Sequence, residues 1–510
     1  MLLSDGVTKA AATHPHQEAI AYGDRRLTWS EWDERIRRTA GALEDAGIGR
    51  GDRVAVVDRN HIICLDVLLA AGSLGASTVI VNWRLTDPEL DYILDDCRPR
   101  ILFLGVDLAE RAALLADGSS TIEQVVMMDN EFEEWIDASE PRDKDPAVTQ
   151  DDVVLVIYTS GTTGRPKGAE FTHAGINANS ATSAAMGGMG EHDRILGSMP
   201  LFHIGGAGST LAGIYEGVPI TLLREPRAEA IIEAIEGGCT RAFLVPAVIS
   251  TLLDAGERER RALASLKVIT YGGAPCPLPV LTKAIDALPT TSIMQVYGMT
   301  ELCGRVTTLS DAAHRDPHHP ERLVSAGQVI EGVEMRIVDP ETLADVAPGT
   351  PGELWFLTPK RMKGYLGLPE ATAEVIVEGG WLRTGDVGRI DEDGFVFIED
   401  RLKDMIISGG ENIYGLEVEG ALESHAAVAE AAVIGVPDPL MGESVLAVVV
   451  AVPGATIDPT ELIEHARQHL ARYKCPRFVV VVDELPRNPS GKVLKAALRE
   501  RYRGGVDGIS

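Results

Sequence analysis

Short apolar runs that alternate with helical patterns set the strongest limit on how this chain folds. Each run is four or five residues long and ends at turn residues, as buried strands of a parallel sheet do. Helical patterns lie between them, such as residues 28–46, which start at the N-cap candidate Thr28 and end before Gly47. The alternation predicts a largely parallel α/β architecture. The runs are residues 54–57, 77–81, 101–104, 153–157 and 220–223.

The pattern changes twice toward the C-terminus. From about residue 333, short strands with polar turns predict a small barrel-like antiparallel section. A chain of 510 residues is too long for one hydrophobic core, and we expect domains over residues 1–400 and 401–510, joined near the charged sequence DRLKD. The second is a compact α+β unit, with helices predicted over residues 416–424 and 458–471 and strands over 428–436, 445–452 and 478–482.

The charge balance limits the partners of the chain. Its formal net charge is −29, and such a field repels nucleic acid and acidic membrane surfaces. An anionic ligand must therefore meet local basic groups, although each basic cluster taken alone can equally be a solvated surface. The clusters are Lys360, Arg361 and Lys363; Arg401 and Lys403; and Arg472, Lys474 and Arg477.

Cysteine usage and hydropathy indicate the compartment. The six cysteines show no CxxC or Cys/His spacing, so neither a disulfide framework nor a zinc site is predicted. No basic segment followed by a long apolar run opens the sequence, and no stretch of about 18 apolar residues occurs. We expect a cytoplasmic protein without a membrane span.

A loop dense in glycine and hydroxyl residues follows the fourth apolar run. Residues 158–168 read YTSGTTGRPKG. Glycines let successive backbone N–H groups turn toward one anion, and Lys167 adds a positive charge, which suits a polyphosphate. The Walker A spacing, GxxxxGK followed by Ser or Thr, is absent, and an ordinary surface loop does not explain so many small and hydroxyl residues in succession. The predicted polyphosphate contacts are Thr159, Ser160, Gly161, Thr162, Thr163, Gly164 and Lys167.

The loop resembles the signature sequence of the adenylate-forming superfamily, which includes acyl-CoA synthetases, luciferases and nonribosomal peptide adenylation domains. Later motifs follow in the family order, so the resemblance extends over about residues 18–498. It implies an acid:CoA ligase of the fatty-acid or aryl-acid type that uses ATP, Mg²⁺ and CoA. Two steps are implied: a carboxylic acid and ATP give acyl-AMP and pyrophosphate, and acyl-AMP and CoA then give acyl-CoA and AMP.

A motif in the middle of the chain, QVYGMTE, extends the nucleotide site. By the resemblance, Tyr297 stacks on adenine, Thr300 touches the phosphates in catalysis and Glu301 holds Mg²⁺. A hard cation prefers carboxylate and phosphate oxygens, so the metal role agrees with the chemistry of this side chain. The nucleotide site also includes Gly298 and, from the sequence GGAP, Gly273, Ala274 and Pro275.

Two later motifs supply the ribose contacts and the catalytic lysine. The resemblance assigns Asp386 in WLRTGDVGRID, together with Arg401, to the ribose hydroxyls. Lys492 in PRNPSGKVLK takes the position of the catalytic lysine. Carboxylate attack on the α-phosphate brings two anions together, so a bridging cation lowers the barrier by orientation and charge stabilisation.

The sequence RLKDMIISGGEN resembles the hinge and thiolation segment of the family. In that family the small, mobile C-terminal domain rotates after adenylation, which withdraws the lysine and presents a glycine-bearing loop to the CoA channel. A few loop residues usually absorb such a change. Lys403 occupies the hinge position, and the expected CoA-channel residues are Gly409, Gly410 and Glu411.

The sequence PLFHIGGAG resembles the loop that flanks the acyl pocket, with His203 as its wall residue; a hydrogen-bonded structural histidine is the alternative. Val296 stands where many long-chain and hydroxycinnamate ligases have glycine and should narrow the pocket. We therefore expect a short-chain, medium-chain, cyclic or aromatic acid. The family more often has the pattern NxYP where this sequence has NIYG, so Gly415 stands in place of proline. The sequence gives no reason for this change. The predicted substrate residues are His203, Gly205, Gly272, Val296, Met299 and Cys303.

Three alternatives remain open at this point, one of which is a luciferase-type oxygenase that uses the same first half-reaction. A stand-alone adenylation enzyme that loads a carrier protein uses the same first step. A non-catalytic acyl-adenylate-binding protein would share the fold, although the presence of Lys492, Glu301 and Asp386 argues against it. The family also suggests a homodimer, which the sequence does not test.

Overall fold

The structure is a computed structural model that describes most of the chain. The described residues are 1–112, 115, 121–159, 165–274, 276–408, 411–438, 440–487 and 493–503, with residues 411 and 412 described by their backbone alone. Two compact units result, one formed by Met1–Glu334 and Phe356–Leu382 and the other by Met335–Trp355 and Arg383–Ser510. The domain boundary at residue 400 stays a prediction.

Strands, numbered along the chain, form the frame of the first unit. They are β1 Glu18–Tyr22, β2 Arg25–Thr28, β3 Arg53–Val57, β4 Ser77–Val81, β5 Ile101–Leu104, β6 Gln124–Met127, β7 Val153–Thr159, β8 Lys167–Thr172, β9 Ile195–Gly197, β10 Ile220–Leu222, β11 Arg241–Leu244, β12 Val268–Gly272, β13 Ser292–Met299, β14 Gly304–Leu309, β15 Gln328–Val329 and, after two strands given below, β18 Gly364–Tyr365. The described strands make a nine-stranded sheet of order β15-β14-β13-β12-β11-β9-β10-β1-β2 and a seven-stranded sheet of order β18-β8-β7-β4-β3-β5-β6.

The central pairs of both sheets are parallel, as the apolar runs predict. Strand β3 pairs in parallel with β4 and β5, and β12 pairs in parallel with β11 and β13. Every residue of β4 and β5 is buried, which is why these strands read as continuous apolar runs rather than alternating ones. The predicted parallel α/β architecture is confirmed.

Helices connect these strands, and the second of them begins with the capping box that its sequence predicts. Helix Trp29–Asp45 begins after Thr28, whose side chain accepts from the Glu31 N–H while the Glu31 carboxylate accepts from the Thr28 N–H. The other helices of the first unit are Ser4–Thr13, Ile62–Ser73, Asp87–Cys97, Asn130–Asp137, His173–Gly187, Ile204–Glu216, Ala228–Glu236, Pro246–Ala255, Glu257–Ser265, Leu278–Ala287, Asp311–His314 and Pro369–Val375, with 3₁₀ turns Val106–Arg111, Thr300–Leu302, Pro320–Val324 and Glu378–Gly380. Within the described part of the chain, none of the helices has the length and apolar character needed to cross a bilayer.

The remaining strands and three helices of the described residues lie wholly or mostly in the second unit; Glu334, Phe356, Leu357 and Leu382 belong to the first unit. The strands are β16 Glu334–Val338, β17 Gly352–Leu357, β19 Leu382–Ile390, β20 Val396–Arg401, β21 Ile406–Ser408, β22 Glu411–Ile413, β23 Val428–Asp438, β24 Gly442–Ala451 and β25 Phe478–Val482; the helices are Gly415–Glu423, Pro459–His469 and Lys495–Arg501. The section predicted as barrel-like forms a four-stranded sheet, β16-β17-β19-β20, and β21 to β25 form a five-stranded sheet. The elements predicted after residue 415 agree closely with these bounds.

The ends of three strands position the motifs of the first unit. Strand β7 ends at Thr159, where the glycine-rich loop begins, and the loop returns into β8 at Lys167. Strands β12 and β13 are parallel neighbours, so the GGAP and YGMTE sequences leave the sheet at the same edge. In α/β sheets this edge, at the carboxyl ends of the strands, is where ligands bind.

Candidate active site

The two ends of the glycine-rich loop are held side by side. Thr159 and Lys167 are paired residues of the antiparallel strands β7 and β8, and the Thr159 hydroxyl donates to the Lys167 carbonyl over 3.5 Å. The ammonium group of Lys167 lies 5.0 Å from the centroid of the Tyr365 ring, a distance at which the cation is attracted to the ring face. The loop residues Ser160, Gly161, Thr162, Thr163 and Gly164 lie outside the described residues.

Glu301 is a buried carboxylate of the first unit that other residues hold in place. Its side chain is buried, and its Oε1 accepts a 2.8 Å hydrogen bond from the Tyr365 hydroxyl. Burial and the neighbouring Glu301 charge raise the pKa of Tyr365, so the phenol keeps its proton and acts as the donor. The Glu301 carbonyl also accepts from the Met362 N–H at 2.8 Å. Glu301 is therefore fixed at both its backbone and its side chain.

Tyr365 is a site residue that the sequence analysis missed. It lies 64 residues beyond Glu301, and no local pattern links the two positions. The short strand β18 brings them together, because it pairs with β8 so that Tyr365 lies opposite Ala169. The sequence shows Tyr365 only as an aromatic residue two positions after Lys363. Its role becomes visible once the pairing of β18 with β8 is known.

The glycines after β12 are required by close backbone approach and by their dihedrals. Gly272 lies opposite Val296 of β13, and a Cβ atom on Gly272 would come within 2.4 Å of the Val296 carbonyl oxygen. Gly273 has a φ of +80°, in the left-handed region that favours glycine. This edge also presents Ala274 and the Tyr297 ring, which packs against Phe356 at a centroid distance of 6.4 Å. Pro275 lies outside the described residues.

After Met299 the chain makes a tight turn and reverses. Thr300 begins the 3₁₀ turn, and Cys303 ends it with a φ of 54°. Strand β14 then runs antiparallel to β13, with Met299 opposite Gly304 and Gly298 opposite Arg305. Cys303 is fully buried, and burial raises the pKa of its thiol to about 12. Such a thiol stays protonated and unreactive at neutral pH.

His203 is the N-cap residue of helix Ile204–Glu216 and is neutral. Burial and the positive charge of Arg84 lower the pKa of His203 to about 4. Within the described residues, its buried Nε2 atom has no hydrogen-bond partner, which does not favour the alternative of a hydrogen-bonded structural histidine. Gly205, two residues after His203, is closely packed, because a Cβ atom at this position would lie 2.7 Å from the Phe243 ring.

The two predicted ribose contacts lie together in the second unit. Asp386 and Arg401 are directly opposite each other on β19 and β20, and Arg401 Nε lies 3.2 Å from Asp386 Oδ1. The Asp386 side chain is largely buried. Asp386 and Arg401 come from different sequence motifs but are adjacent in the structure. Their adjacency agrees with the prediction that both contact one sugar.

The proposed hinge and thiolation segment is described in part. Lys403 follows β20, and burial lowers the pKa of its ammonium group. Glu411 begins β22 and pairs with Ser408 through the backbone. Gly409, Gly410 and Lys492 lie outside the described residues, so their roles stay predictions.

A buried ion network in the second unit explains the unusual Gly415. The Gly415 N–H donates to Asp400 Oδ2 over 2.5 Å, a bond that proline cannot make because it lacks the N–H. Lys495 Nζ lies 2.8 Å from Glu419 Oε1 and 4.0 Å from Asp400 Oδ1. Since Lys495 begins the helix that follows the Lys492 segment, the network anchors the start of this helix to β20 and to helix Gly415–Glu423.

Glu301 also fits the metal role that the resemblance assigns to it. Across the residues that the structure describes, no group of three or more His, Cys, Asp or Glu side chains could hold a metal ion. Mg²⁺ needs no such group when it binds through one or two carboxylates, waters and the phosphates of its nucleotide. A single fixed carboxylate beside the ends of the glycine-rich loop fits that chemistry.

The fold and these sites together define an adenylate-forming enzyme. The large unit of parallel α/β sheets presents the end of a glycine-rich loop, a fixed carboxylate and an aromatic ring. The small α+β unit contains the paired acid and base assigned to the ribose.

Comparisons with known proteins identify the family. The AMP-binding enzyme family matches residues 7–366, and the C-terminal domain of AMP-binding enzymes matches residues 417–492. The chain belongs to the AMP-binding enzyme family. The predicted membership of the adenylate-forming superfamily, the predicted fold class and the prediction of an enzyme are confirmed.

Individual relatives cover nearly the whole chain. It is 39% identical to a feruloyl-CoA synthase of Amycolatopsis sp over 97% of this chain and 98% of the relative. It is 36% identical to the fatty acid–acyl-carrier-protein ligase ScoC of Streptomyces coeruleorubidus over 97% and 95%. The o-succinylbenzoate CoA synthetase MenE of Bacillus subtilis, solved with its acyl-adenylate intermediate, has a TM-score of 0.85 at 30% identity, with 97% of each chain covered.

Proposed function

We propose that the protein is an ATP-dependent acid:CoA ligase that acts in two steps. In the first, an oxygen of the carboxylic acid attacks the α-phosphorus of ATP, which gives acyl-AMP and pyrophosphate. In the second, the CoA thiolate attacks the acyl carbonyl, which gives acyl-CoA and AMP. The observation that best supports this proposal is the buried Glu301 carboxylate, held by Tyr365 beside Lys167. Relatives named as feruloyl-CoA synthase and o-succinylbenzoate CoA synthetase support the acid:CoA ligase class.

Each group has a role that follows from its chemistry. Lys167 and the loop N–H groups bind the β- and γ-phosphates, because a cation and several donors favour a polyanion. Glu301 orients a Mg²⁺ ion, which when bound supplies positive charge that stabilises the departing pyrophosphate. Asp386 accepts from the ribose hydroxyls, and Arg401, 3.2 Å from its Oδ1, orients this carboxylate. Lys492 brings the substrate carboxylate and the α-phosphate together in the first step.

The acid is proposed to be short, medium-chain, cyclic or aromatic. Val296 supports this choice because its branched side chain lies at the strand end opposite Gly272, where the pocket wall is expected. The names of the two CoA-ligase relatives, one a feruloyl-CoA synthase and one an o-succinylbenzoate CoA synthetase, support an aryl acid. Best turnover of palmitate in a substrate screen would contradict this choice.

The acceptor distinguishes the main proposal from a second candidate. The relative named as a fatty acid–acyl-carrier-protein ligase supports a carrier protein as the alternative thiol. We expect AMP release from ATP and a panel of acids to rise on addition of CoA, with acyl-CoA detected by mass spectrometry. A phosphopantetheinylated carrier protein serves as the matched acceptor. Release that responds to the carrier and not to CoA would favour the second candidate.

A variant of Lys492 separates the two half-reactions. Lys492→Ala should abolish acid-dependent pyrophosphate exchange, because the first step loses its bridging cation. Transfer of a presynthesised acyl-AMP to CoA should be largely spared, since the hinge motion withdraws this lysine before the second step. Equal loss of both half-reactions would contradict the two-state scheme, which also includes Lys403, Gly409, Gly410 and Glu411.

A homodimer and a cytoplasmic location complete the proposal. All six cysteines are free thiols, which agrees with a reducing compartment. Light scattering coupled to gel filtration measures the mass of the particle, and a mass of one chain over a wide concentration range would contradict the homodimer.

A further inference from the structure

Arg305 is a cation inside the first unit without an anionic partner. It lies on β14, opposite Gly298, with a side chain that is surrounded by protein but keeps some accessible surface. Burial alone lowers the pKa of Arg305 to about 10, with no charged group contributing. Its carbonyl accepts from Lys360, whereas its guanidinium makes no hydrogen bond or ion pair with any described residue. A buried charge is unfavourable unless it is paired.

Other buried arginines of the same unit are paired. The Arg35 guanidinium contacts Asp66 at 2.7 Å and Glu133 at 2.5 Å. Arg241 contacts Asp193 at 2.8 Å. These two buried guanidinium groups are paired with carboxylates, whereas that of Arg305 is not.

A second cation lies beside Arg305. Lys360 is 2% exposed, so the solvated-surface interpretation of its basic cluster is wrong for this residue. Its Nζ donates to the Arg305 carbonyl and lies 3.4 Å from Asn179 Oδ1. Burial, together with the nearby Arg305 charge, lowers the pKa of Lys360 to about 7. No carboxylate of the described residues contacts either cation, and the pair makes this interior region electropositive.

The pair lies next to elements that carry predicted residues of the acyl pocket. Asn179 is close to two elements of that wall: a Cβ atom on Gly208 would lie 2.9 Å from its Nδ2, and one on Gly304 would lie 3.7 Å from its Oδ1. Gly208 belongs to the helix that His203 caps. Gly304 follows Cys303 and precedes Arg305, directly after the Glu301 turn. The Arg305 backbone is thus contiguous with the predicted substrate residues Met299 and Cys303, since Met299 lies opposite Gly304.

We propose that Arg305 binds a second anionic group of the acid substrate. The substrate is then a compact acid with a distal carboxylate, a dicarboxylic acid, one end of which is activated while the other pairs with the guanidinium. Arginine suits this role because its planar fork donates two parallel hydrogen bonds to one carboxylate. Lys360 acts as a positioning residue that holds the Arg305 backbone. This inference rests on the proposed ligase function.

Matched pairs of acids test the inference on the unmodified enzyme. The pairs are glutarate with pentanoate, adipate with hexanoate, and 4-carboxycinnamate with 4-methylcinnamate; glutarate monoamide is a neutral isostere. The kcat/KM of CoA-dependent AMP release is measured for each acid. We expect the distal carboxylate to raise kcat/KM by about 100-fold or more within a pair, because a site built for a polar group rejects analogues that leave it unpaired.

Variants at Arg305 assign the preference to this residue. Arg305→Met should lower kcat/KM for the dicarboxylic member by about 100-fold and leave the monocarboxylic member unchanged or improved, since only the charge pair is lost. Arg305→Lys should restore part of the preference, mainly through KM. Thermal unfolding of each variant checks that the fold is retained, and the preference of the unmodified enzyme stands independently of the variants.

The outcomes separate this inference from the function on which it rests. If no acid gives acyl-CoA with ATP and CoA, the proposed function fails. If acids are converted but the monocarboxylic or amide members are preferred, the anion site is overturned while the ligase function stands. If Arg305→Met lowers kcat/KM equally for both members of each pair, the anion site is also overturned, because Arg305 would then have a structural role.

Discussion

Replacement of Tyr365 by phenylalanine removes a single oxygen atom from the site. That oxygen donates to Glu301 Oε1 over 2.8 Å, and both side chains are buried. A hydrogen bond to a charged group contributes about 1.5–3 kcal/mol. The aromatic ring remains in the variant, so the 5.0 Å contact with the Lys167 ammonium group is retained. The substitution therefore isolates the positioning of Glu301.

The expected effect is on the first half-reaction and on its metal dependence. Loss of a partner that orients a metal-binding carboxylate typically reduces metal affinity or activity by about 10- to 100-fold. Tyr365→Phe should weaken Mg²⁺·ATP binding in calorimetry and raise the Mg²⁺ concentration that gives half-maximal pyrophosphate exchange by about tenfold. Transfer of presynthesised acyl-AMP to CoA should remain close to that of the unmodified enzyme, since pyrophosphate has already left.

A matched variant controls for the loss of a tyrosine hydroxyl elsewhere. Tyr22→Phe removes a hydroxyl that accepts from Arg224 Nη1 at 3.3 Å on strand β1, and this strand contributes no predicted site residue. It should leave the Mg²⁺ dependence unchanged. Identical Mg²⁺ dependence in Tyr365→Phe and in the unmodified enzyme would refute the reasoning, because Glu301 would then be held without the phenol or would not contact the metal.

Two further predictions concern the second unit. Gly415→Pro should lower the free energy of unfolding by about 1–3 kcal/mol, because buried Asp400 loses its N–H donor. Urea denaturation measures this free energy, and Gly420→Ala, at an uncrowded position of the same helix, is the control. Equal stability of the two variants would contradict the role of the hydrogen bond. Burial raises the pKa of Glu423 from 4.5 to about 7. Between these pH values the folded state keeps a proton that the unfolded state has lost. The free energy of unfolding therefore falls as pH rises from about 4.5 to 7. In Glu423→Gln the amide oxygen can still accept from the Ala431 N–H. This variant should show a flatter dependence of stability on pH and be the more stable protein at pH 8 by up to about 3 kcal/mol. An unchanged slope of stability against pH would contradict the assignment to Glu423.

Much of the fold could be predicted because the signals are local. Strand β4 agrees in both bounds with the apolar run at residues 77–81, and β5 agrees with residues 101–104. The cap at Thr28 follows from the residues on either side of it. Parallel strands buried on both faces leave a continuous apolar record in the sequence, and caps depend on neighbours three residues away.

The contacts that could not be predicted arise from pairing between distant segments. Tyr365 reaches Glu301 only because β18 pairs with β8. Lys360 stands in a basic cluster that can equally be a solvated surface, yet the chain buries it under the Arg305 carbonyl. Gly415 gives no signal until its N–H faces Asp400. Charge and composition do not determine such environments, since the same residue type occurs both on surfaces and in interiors.

The same distinction explains why the reaction is easier to infer than the acid. Phosphates are recognised largely by backbone N–H groups in one turn, so the predicted nucleotide contacts form contiguous motifs such as residues 158–168. The residues predicted or proposed for the acyl wall are single residues on separate elements: His203 before a helix, Val296 on β13 and Arg305 on β14. Each contributes one side chain and no motif. If these assignments hold, selectivity for the acid depends on three-dimensional pairing, and the matched acids tested against Arg305→Met measure how much of it the guanidinium supplies.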